Sequence, residues 1–299
     1  IYYLIALFLG LGLPVAVIFL RNLLRFKIES RADIEKITDV PVVGDIPLTE
    51  TDGHPIVVQE NRNGLMEEVF RSVRTNLQYM LGEGQKVILF TSTTSGEGKS
   101  FNAGNLACSF AFMGKKVVIV GLDIRKPGLN KVFEISHKER GITQYLADPK
   151  QTDLLSLCQP SAISPNLFIL PGGTVPPNPT ELVARKSLDH ALEILKEHFD
   201  YVLLDTAPIG MVTDTQLIAR VADLSVYVCR AGYTHKSDYE LINDLKRENK
   251  LPNLCTLING IDMDQRKNGY YYGYGKYGKY GKYGYGKKYG YGYGYGYGK

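Results

Sequence analysis

A short glycine-rich segment, Ser95–Ser100, lies between an apolar run, Val87–Thr91, and a second largely apolar stretch, Phe101–Phe112. The run has the length of a buried strand and the stretch that of a helix, so the segment joins a strand to a helix. Its glycines let backbone amides approach an anion, and the helix N-terminus adds positive potential. Lys99 is placed to reach β- and γ-phosphates, and Ser100 to ligate Mg²⁺. The segment therefore predicts a nucleotide-phosphate loop, although Thr93 replaces the usual first glycine.

Apolar runs and helix-like segments alternate from Lys86 to about residue 260. Near-continuous apolar strands are typical of a parallel sheet that is covered on both faces. The predicted strands are Val87–Thr91, Val117–Gly121, Leu167–Leu170, Tyr201–Asp205, Leu224–Cys229 and Leu254–Asn259, and the predicted helices include Gly64–Leu81, Thr180–His198 and Lys236–Asn249. The pattern predicts a doubly wound parallel α/β sheet of P-loop NTPase type, with ligands beyond the carboxyl ends of the strands.

Two aspartates lie at the ends of predicted strands. Asp205 closes one strand, and Asp123 comes just after another. Carboxylates at the carboxyl edge of such a sheet can lie next to the Mg²⁺ of a bound nucleotide. We therefore predict Lys99, Asp123 and Asp205 as catalytic residues, and Ser100, Asp123 and Asp205 as metal ligands. A solvated turn acid is the alternative for Asp123.

The first twenty residues carry no charge. At about 1.5 Å per residue, a helix of this length spans about 30 Å, the hydrocarbon thickness of a bilayer. Arg21, Arg25 and Lys27 follow, which places the C-terminal side in the cytoplasm by the positive-inside rule. A cleaved signal peptide is the alternative, but it would need a basic segment before the apolar run. We predict a transmembrane helix at residues 1–20 and a juxtamembrane linker at residues 21–60.

The last thirty residues contain only tyrosine, glycine and lysine. Their six lysines account for the excess of basic residues in a chain of net charge +4, so nothing indicates a nucleic-acid-binding face. Without aliphatic side chains the segment cannot build a core, and we predict a flexible tail at residues 266–299. Its phenols are Tyr270, Tyr271, Tyr272, Tyr274, Tyr277, Tyr280, Tyr283, Tyr285, Tyr289, Tyr291, Tyr293, Tyr295 and Tyr297. Next to a nucleotide site they are candidate phosphoacceptors, and a sticky low-complexity segment is the alternative.

With these motifs the chain resembles the bacterial tyrosine kinases of capsular and extracellular polysaccharide export, in the form that joins kinase and membrane activator in one polypeptide. Further support comes from Pro41–Pro47, Asn178–Leu182 and Asp205–Pro208. The resemblance extends to the chromosome-partitioning and division-site ATPases. Those ATPases carry an extra lysine early in the loop, where this chain has Thr94, so the kinase branch is favoured.

The resemblance implies an ATP- and Mg²⁺-dependent protein-tyrosine kinase, with its kinase domain at residues 61–265. It implies that the tail of one subunit is phosphorylated by a neighbour in a homo-oligomeric ring. It also implies a location at the bacterial inner membrane with the kinase domain and tail in the cytoplasm, and as partners the polysaccharide polymerisation and export machinery and a cognate tyrosine phosphatase. The implied nucleotide-binding residues are Ser95, Gly96, Glu97, Gly98, Lys99, Ser100, Phe101 and Asn259.

For several of these residues a second, purely structural interpretation stays open. Glu68, Arg71 and Arg74 form either an exposed charge ladder or, as the resemblance implies, a face that docks on a neighbouring subunit. Asn259 could equally cap a strand, and Asn178–Leu182 could be only a helix start. The family normally has two acids before the arginine of its second aspartate motif, whereas this chain has Gly121 at the first of them.

Two other functions are compatible with these residues. One is a polysaccharide co-polymerase scaffold that binds nucleotide without catalysis, which the missing acid at Gly121 favours. The other is a partitioning-type ATPase that transfers phosphate to water, which Thr94 and the tyrosine-rich tail disfavour.

Overall fold

The computed structural model describes residues 26–51, 53–136 and 140–263, with five isolated positions before residue 26. In this part of the chain no helix has both the length and the apolar character needed to span a bilayer. The predicted transmembrane helix, residues 1–20, lies outside the described residues apart from those isolated positions. The predicted tail, residues 266–299, with its thirteen tyrosines, lies outside them altogether.

An eight-stranded sheet forms the centre of the described fold, in the order β1-β8-β7-β2-β6-β3-β5-β4. The strands are β1 (Val42–Pro47), β2 (Val87–Thr91), β3 (Val117–Leu122), β4 (Gln159–Pro160), β5 (Leu167–Leu170), β6 (Tyr201–Thr206), β7 (Leu224–Arg230) and β8 (Cys255–Ile261). All pairings are parallel except that of β4 with β5. The predicted parallel α/β sheet is therefore confirmed, with one short antiparallel strand at its edge.

Helices cover both faces of this sheet. They are α1 (Arg31–Glu35), α2 (Leu65–Met80), α3 (Lys99–Ala111), α4 (Leu129–Val132), α5 (Ile142–Ala147), α6 (Pro179–Ala184), α7 (Lys186–His198), α8 (Asp214–Ile218) and α9 (Asp238–Arg247). Alternate residues of a strand point to opposite faces, so Leu89 packs in one core and Ile88 in the other. The core that holds Ile88 also contains Phe70 of α2 and Leu106 of α3, which places those two helices together on one face.

The prediction of a linker at residues 21–60 needs correction. Helix α1 and strand β1 lie inside that range, and β1 pairs along the edge of the sheet with β8. Pro47 ends this strand, and an edge strand tolerates proline because one side of it makes no ladder hydrogen bonds. A Cβ atom on Gly44 would lie 2.3 Å from Cγ2 of Val73, so glycine there allows α2 to pack closely on β1. The folded domain therefore begins before residue 61.

The predicted helix Thr180–His198 is two helices, α6 and α7. Arg185 separates them with an extended backbone, at φ −68° and ψ 151°. The guanidinium of Arg220 donates hydrogen bonds to the carbonyls of Val183 and Arg185, at 3.0 and 3.1 Å. A distant side chain therefore stabilises a break that the local sequence does not signal.

Candidate active site

The loop between β2 and α3 lies at the carboxyl edge of the sheet, where the phosphate loop was predicted. Gly96 and Gly98 adopt φ angles of 92° and 94°, a region that favours glycine. A Cβ atom on Gly98 would lie only 2.1 Å from the side-chain nitrogen of Asn259. The loop therefore needs glycine at this position for both its backbone angle and its close packing.

The three predicted catalytic residues meet behind this loop. The Nζ atom of Lys99 lies 3.1 Å from Oδ2 of Asp123 and 3.5 Å from Oδ1 of Asp205. The hydroxyl of Ser100 donates a hydrogen bond of 2.7 Å to Oδ2 of Asp205. Strands β3 and β6 are neighbours, and the amide of Asp123 donates to the carbonyl of Asp205 at 2.9 Å. The sheet therefore brings together residues that lie up to 106 positions apart in the chain.

Burial and charge oppose each other in this cluster. Burial alone would lower the pKa of the Lys99 ammonium, but the carboxylates of Asp205 and Asp123 outweigh it and hold that pKa above its usual value. Asp205 is fully buried, and burial raises the pKa of its carboxyl although Lys99 and Ser100 favour the charged form. Positive charge that enters the site would therefore favour ionisation of Asp205.

The predicted metal ligands, Ser100, Asp123 and Asp205, all present oxygen atoms at this point. A hydroxyl and carboxylates are the hard ligands that Mg²⁺ prefers. The 2.7 Å contact between Ser100 and Asp205 places two such oxygens within the span of one coordination sphere. The donor set in this structure thus fits Mg²⁺, and the assignment of these ligands stays a prediction.

A cleft of about 330 Å³ opens in front of the cluster. Ser95, Gly96, Gly98, Lys99 and Ser100 line it, as does Phe101, which was predicted with them as part of the nucleotide site. The side chain of Glu97 points elsewhere: it is buried, and its carboxylate accepts hydrogen bonds from the amide of Thr94 and the hydroxyl of Thr234. Glu97 can therefore serve the loop through its backbone and by holding the loop's shape. Asn259 donates its side-chain amide to the carbonyl of Glu97 at 3.0 Å.

A second cluster borders the cleft at Arg125. Its guanidinium donates two hydrogen bonds to Asp214, at 2.7 and 3.1 Å, and one to the hydroxyl of Thr180 at 2.8 Å. Thr180 also donates to Asp214 at 2.7 Å. Thus Asn178–Leu182 does more than start a helix, because Thr180 links α6 to the loop after β3. Nothing in the local sequence around Asp214 identified it as part of this cluster.

The charge of Asp214 predicts a pH-dependent stability. Burial alone would raise the pKa of its carboxyl, but hydrogen bonds from Arg125 and Thr180 outweigh burial and hold that pKa below its usual value. We expect Asp214→Asn to reduce the free energy of unfolding by about 1–2 kcal/mol at pH 7. A lowered pKa stabilises the fold above the unfolded-state pKa of about 3.9, and the stabilisation is lost as pH falls through the lower folded-state value.

Urea unfolding of wild type and variant at pH 7, 5 and 3 measures this difference. The difference in free energy of unfolding between the two proteins should stay constant from pH 7 to 5 and become smaller by pH 3. Asp148→Asn, at an exposed carboxylate, is the matched control and should show little gap at any pH. A gap between wild type and Asp214→Asn that stayed constant down to pH 3 would contradict the assignment of charge to this contact.

The residues Glu68, Arg71 and Arg74 lie on α2, away from the cleft. Glu68 and Arg71 form an exposed ion pair. Arg74 donates to the carbonyl of Ser109 at 2.6 Å, in the last turn of α3. Lys99 starts that thirteen-residue helix, so roughly 20 Å separates the triplet from the phosphate loop of the same chain. The structure does not bring the triplet to its own active site, and docking on a neighbour stays a prediction.

The site defines a nucleotide-binding domain of the P-loop class. It combines a glycine-rich loop, a lysine at the start of the next helix, and two acids at the carboxyl edge of a parallel sheet. A family model described as an AAA domain matches residues 85–247. Tyrosine-protein kinase CpsD of Streptococcus pneumoniae is 35% identical over 211 residues, which are 71% of this chain and 91% of that protein. Tyrosine-protein kinase YwqD of Bacillus subtilis is 32% identical over 219 residues, 73% of this chain and 91% of that protein.

The fold agrees with these relatives. The kinase domain of the Escherichia coli tyrosine kinase ETK superposes with a TM-score of 0.69 at 26% identity, over 83% of this chain and 100% of that domain. The chain belongs to the bacterial tyrosine kinases, the family that its motifs predicted. It is a protein-tyrosine kinase.

Proposed function

We propose that this kinase uses Mg²⁺-ATP to phosphorylate the tyrosines of its own C-terminal segment, and that the transfer runs between subunits. The contact of Lys99 with Asp123 and Asp205 carries the proposal, because it places one cation and two acids next to the phosphate loop. The acceptor follows from the sequence, in which thirteen tyrosines cluster between Tyr270 and Tyr297.

Each charged side chain has a distinct role in this proposal. Lys99 neutralises charge on the transferred phosphate, which matters because phosphoryl transfer depends mainly on positioning and electrostatics. Ser100 and Asp205 would hold Mg²⁺, which supplies further positive charge to the phosphates when bound. Asp123 would accept the proton of the tyrosine hydroxyl, since it lies at the cleft and contacts Lys99.

Gly121 explains why these roles fall on only two acids. A Cβ atom at this position would lie 2.9 Å from the backbone nitrogen of Gly172. A longer side chain therefore has no room unless the segment around Gly172 moves. The close packing supports a site in which Asp123 and Asp205 alone take the roles that three carboxylates have elsewhere in the family.

The dimensions of the C-terminal segment are compatible with transfer between subunits. As a random coil, a segment of thirty residues would span roughly 30 Å, enough to extend toward an adjacent subunit. Each phosphate adds about −1.5 to −2 charges, so about four would cancel the six lysines. We infer that phosphorylation switches the segment from cationic to anionic. This change would loosen a homo-oligomeric ring built through Glu68, Arg71 and Arg74 and so regulate polysaccharide polymerisation and export.

The same proposal sets the cellular context. We place the chain at the bacterial inner membrane, with residues 1–20 as the span and the kinase domain and tail in the cytoplasm. Its partners would be the polysaccharide polymerisation and export machinery and a tyrosine phosphatase that resets the tail. The uncharged sequence of residues 1–20 and the basic residues after it support this placement.

A mixing experiment tests transfer between subunits. One protein is Lys99→Met with its tail intact, and the other is an active chain whose thirteen tail tyrosines are phenylalanine. After incubation in detergent with Mg²⁺-ATP, mass spectrometry should find phosphate on the tail of Lys99→Met, whereas Lys99→Met alone should carry none. In the wild-type protein alone, ATP turnover with an unmodified tail would point to an ATPase, and nucleotide binding without turnover to a scaffold. A phosphorylated wild-type tail together with an unmodified Lys99→Met tail in the mixture would contradict transfer between subunits.

A further inference from the structure

Three consecutive carbonyls of the phosphate loop each accept a hydrogen bond from a side chain outside the loop. The hydroxyl of Tyr233 donates to the carbonyl of Ser95 at 3.0 Å. The guanidinium of Arg230 donates to the carbonyl of Gly96 at 3.1 Å, and the amide of Asn259 to that of Glu97 at 3.0 Å. We call Tyr233, Arg230 and Asn259 the carbonyl clamp.

The sheet order brings the clamp to the loop. Arg230 ends β7, the neighbour of the loop-bearing strand β2, and Asn259 lies opposite Arg230 in β8. Tyr233 follows in the turn after β7, where its amide donates to the carbonyl of Arg230 at 3.1 Å. The Arg230 guanidinium also lies 5.6 Å from the centre of the Tyr233 ring, so the two side chains support each other.

Peptide geometry shows what the clamp does. A trans peptide is planar, and its carbonyl and amide point in opposite directions. Hydrogen bonds that hold the carbonyls of residues 95, 96 and 97 on one side therefore direct the amides of residues 96, 97 and 98 to the other. Those amides are the anion-binding groups of a phosphate loop. Glycine adopts positive and negative φ angles about equally well, so Gly96 and Gly98 alone do not fix the loop at its observed positive angles. The three donors of the clamp hold the peptides in this orientation.

We infer that Arg230 and Tyr233 are positioning residues for the nucleotide phosphates, acting through the backbone of the phosphate loop. Arg230 adds a second effect, because a cationic donor on a carbonyl polarises the peptide and strengthens its amide as a donor. The inference concerns nucleotide binding by the kinase and does not depend on which tyrosines accept phosphate. Failure of the tail proposal would leave it intact.

Tyr233→Phe is the sharpest test, because it removes one hydroxyl from a side chain that is 43% exposed. In the full chain in detergent, loss of this hydrogen bond should weaken ATP binding about fivefold. Arg230→Met should weaken it about tenfold or more, and Arg230→Lys, which keeps a donor, should recover part of the loss. In Tyr233→Phe and Arg230→Met the KM for ATP should rise, and kcat should stay nearly unchanged. Tyr79→Phe, at a tyrosine that is 85% exposed, is the matched control and should match wild type.

Inorganic tripolyphosphate separates the clamp from contacts with the nucleoside. Its affinity, measured by competition with ATP, should fall in Tyr233→Phe and Arg230→Met by the same factor as the affinity for ATP. The urea concentration at the midpoint of unfolding should equal that of wild type in both variants. If tripolyphosphate bound as in wild type while ATP weakened, the side chains would contact base or ribose and the inference would be wrong. The inference would also be wrong if each loss of ATP affinity were matched by a loss of folding stability, or if neither variant changed ATP binding.

Discussion

Lys99→Met should reduce tyrosine phosphorylation by at least about a hundredfold, the usual effect of removing one charged stabiliser from a transition state. The methionine chain keeps the length of the lysine stem but carries no charge to the phosphates. It also leaves Asp123 and Asp205 without the cation that lies 3.1 and 3.5 Å from them. Phosphate incorporation from labelled Mg²⁺-ATP, per enzyme and unit time, measures the effect.

Two controls separate catalysis from folding. Lys115→Met removes an equal charge from an exposed position and should keep nearly full activity. Urea unfolding of Lys99→Met shows whether the protein remains folded at the assay temperature, because two buried acids without their cation destabilise the site. If folded Lys99→Met retained more than about a tenth of wild-type activity, the assigned role of the lysine would be rejected.

Gly98→Ala should reduce ATP affinity by about a hundredfold and phosphorylation with it. Alanine is strained at φ 94°, and its Cβ atom would lie 2.1 Å from the side-chain nitrogen of Asn259. Either the loop or Asn259 must move, and both movements break the hydrogen bond that holds the carbonyl of Glu97. Equilibrium titration with an ATP analogue measures the loss of affinity.

Gly114→Ala is the matched control for this change. Gly114 also has a positive φ, 79°, but a Cβ atom there would have no neighbour within 4 Å. Both variants should lose about 1 kcal/mol of stability from backbone strain. Only Gly98→Ala should lose ATP binding. Equal affinities in the two variants would show that packing around the phosphate loop tolerates a side chain.

The sequence predicted the features that depend on local pattern. The run Val87–Thr91 forms β2 with the predicted bounds, and α2 differs by one residue at each end from Gly64–Leu81. Strand alternation and helix periodicity set these elements, and both are visible in a short window. The meeting of Asp123 and Asp205 also followed, because parallel strands end at the same edge of a sheet.

Features that depend on distant partners were not predicted. Arg230 and Tyr233 bond to the phosphate loop across 134 and 138 residues, and Arg125 bonds to Asp214 across 89. No short pattern records such contacts, which depend on strand order. The break at Arg185 belongs to the same group, because the donor that stabilises it, Arg220, lies 35 residues away.

The edge position of β1 has a mechanical consequence. Asp45 and Pro47 lie opposite Ile258 and Ile261, so the register of β1 brackets Asn259 on β8. Tension on the polypeptide before α1 would first load the hydrogen bonds that join Phe26 and Ile28 to the segment after β7, and then this parallel ladder, in shear through several hydrogen bonds at once. Both sets of contacts lead to the phosphate loop, because Tyr233 lies in the segment after β7, and because β8, the partner of β1, carries Asn259. Force on the chain before α1 would therefore be transmitted to the catalytic centre.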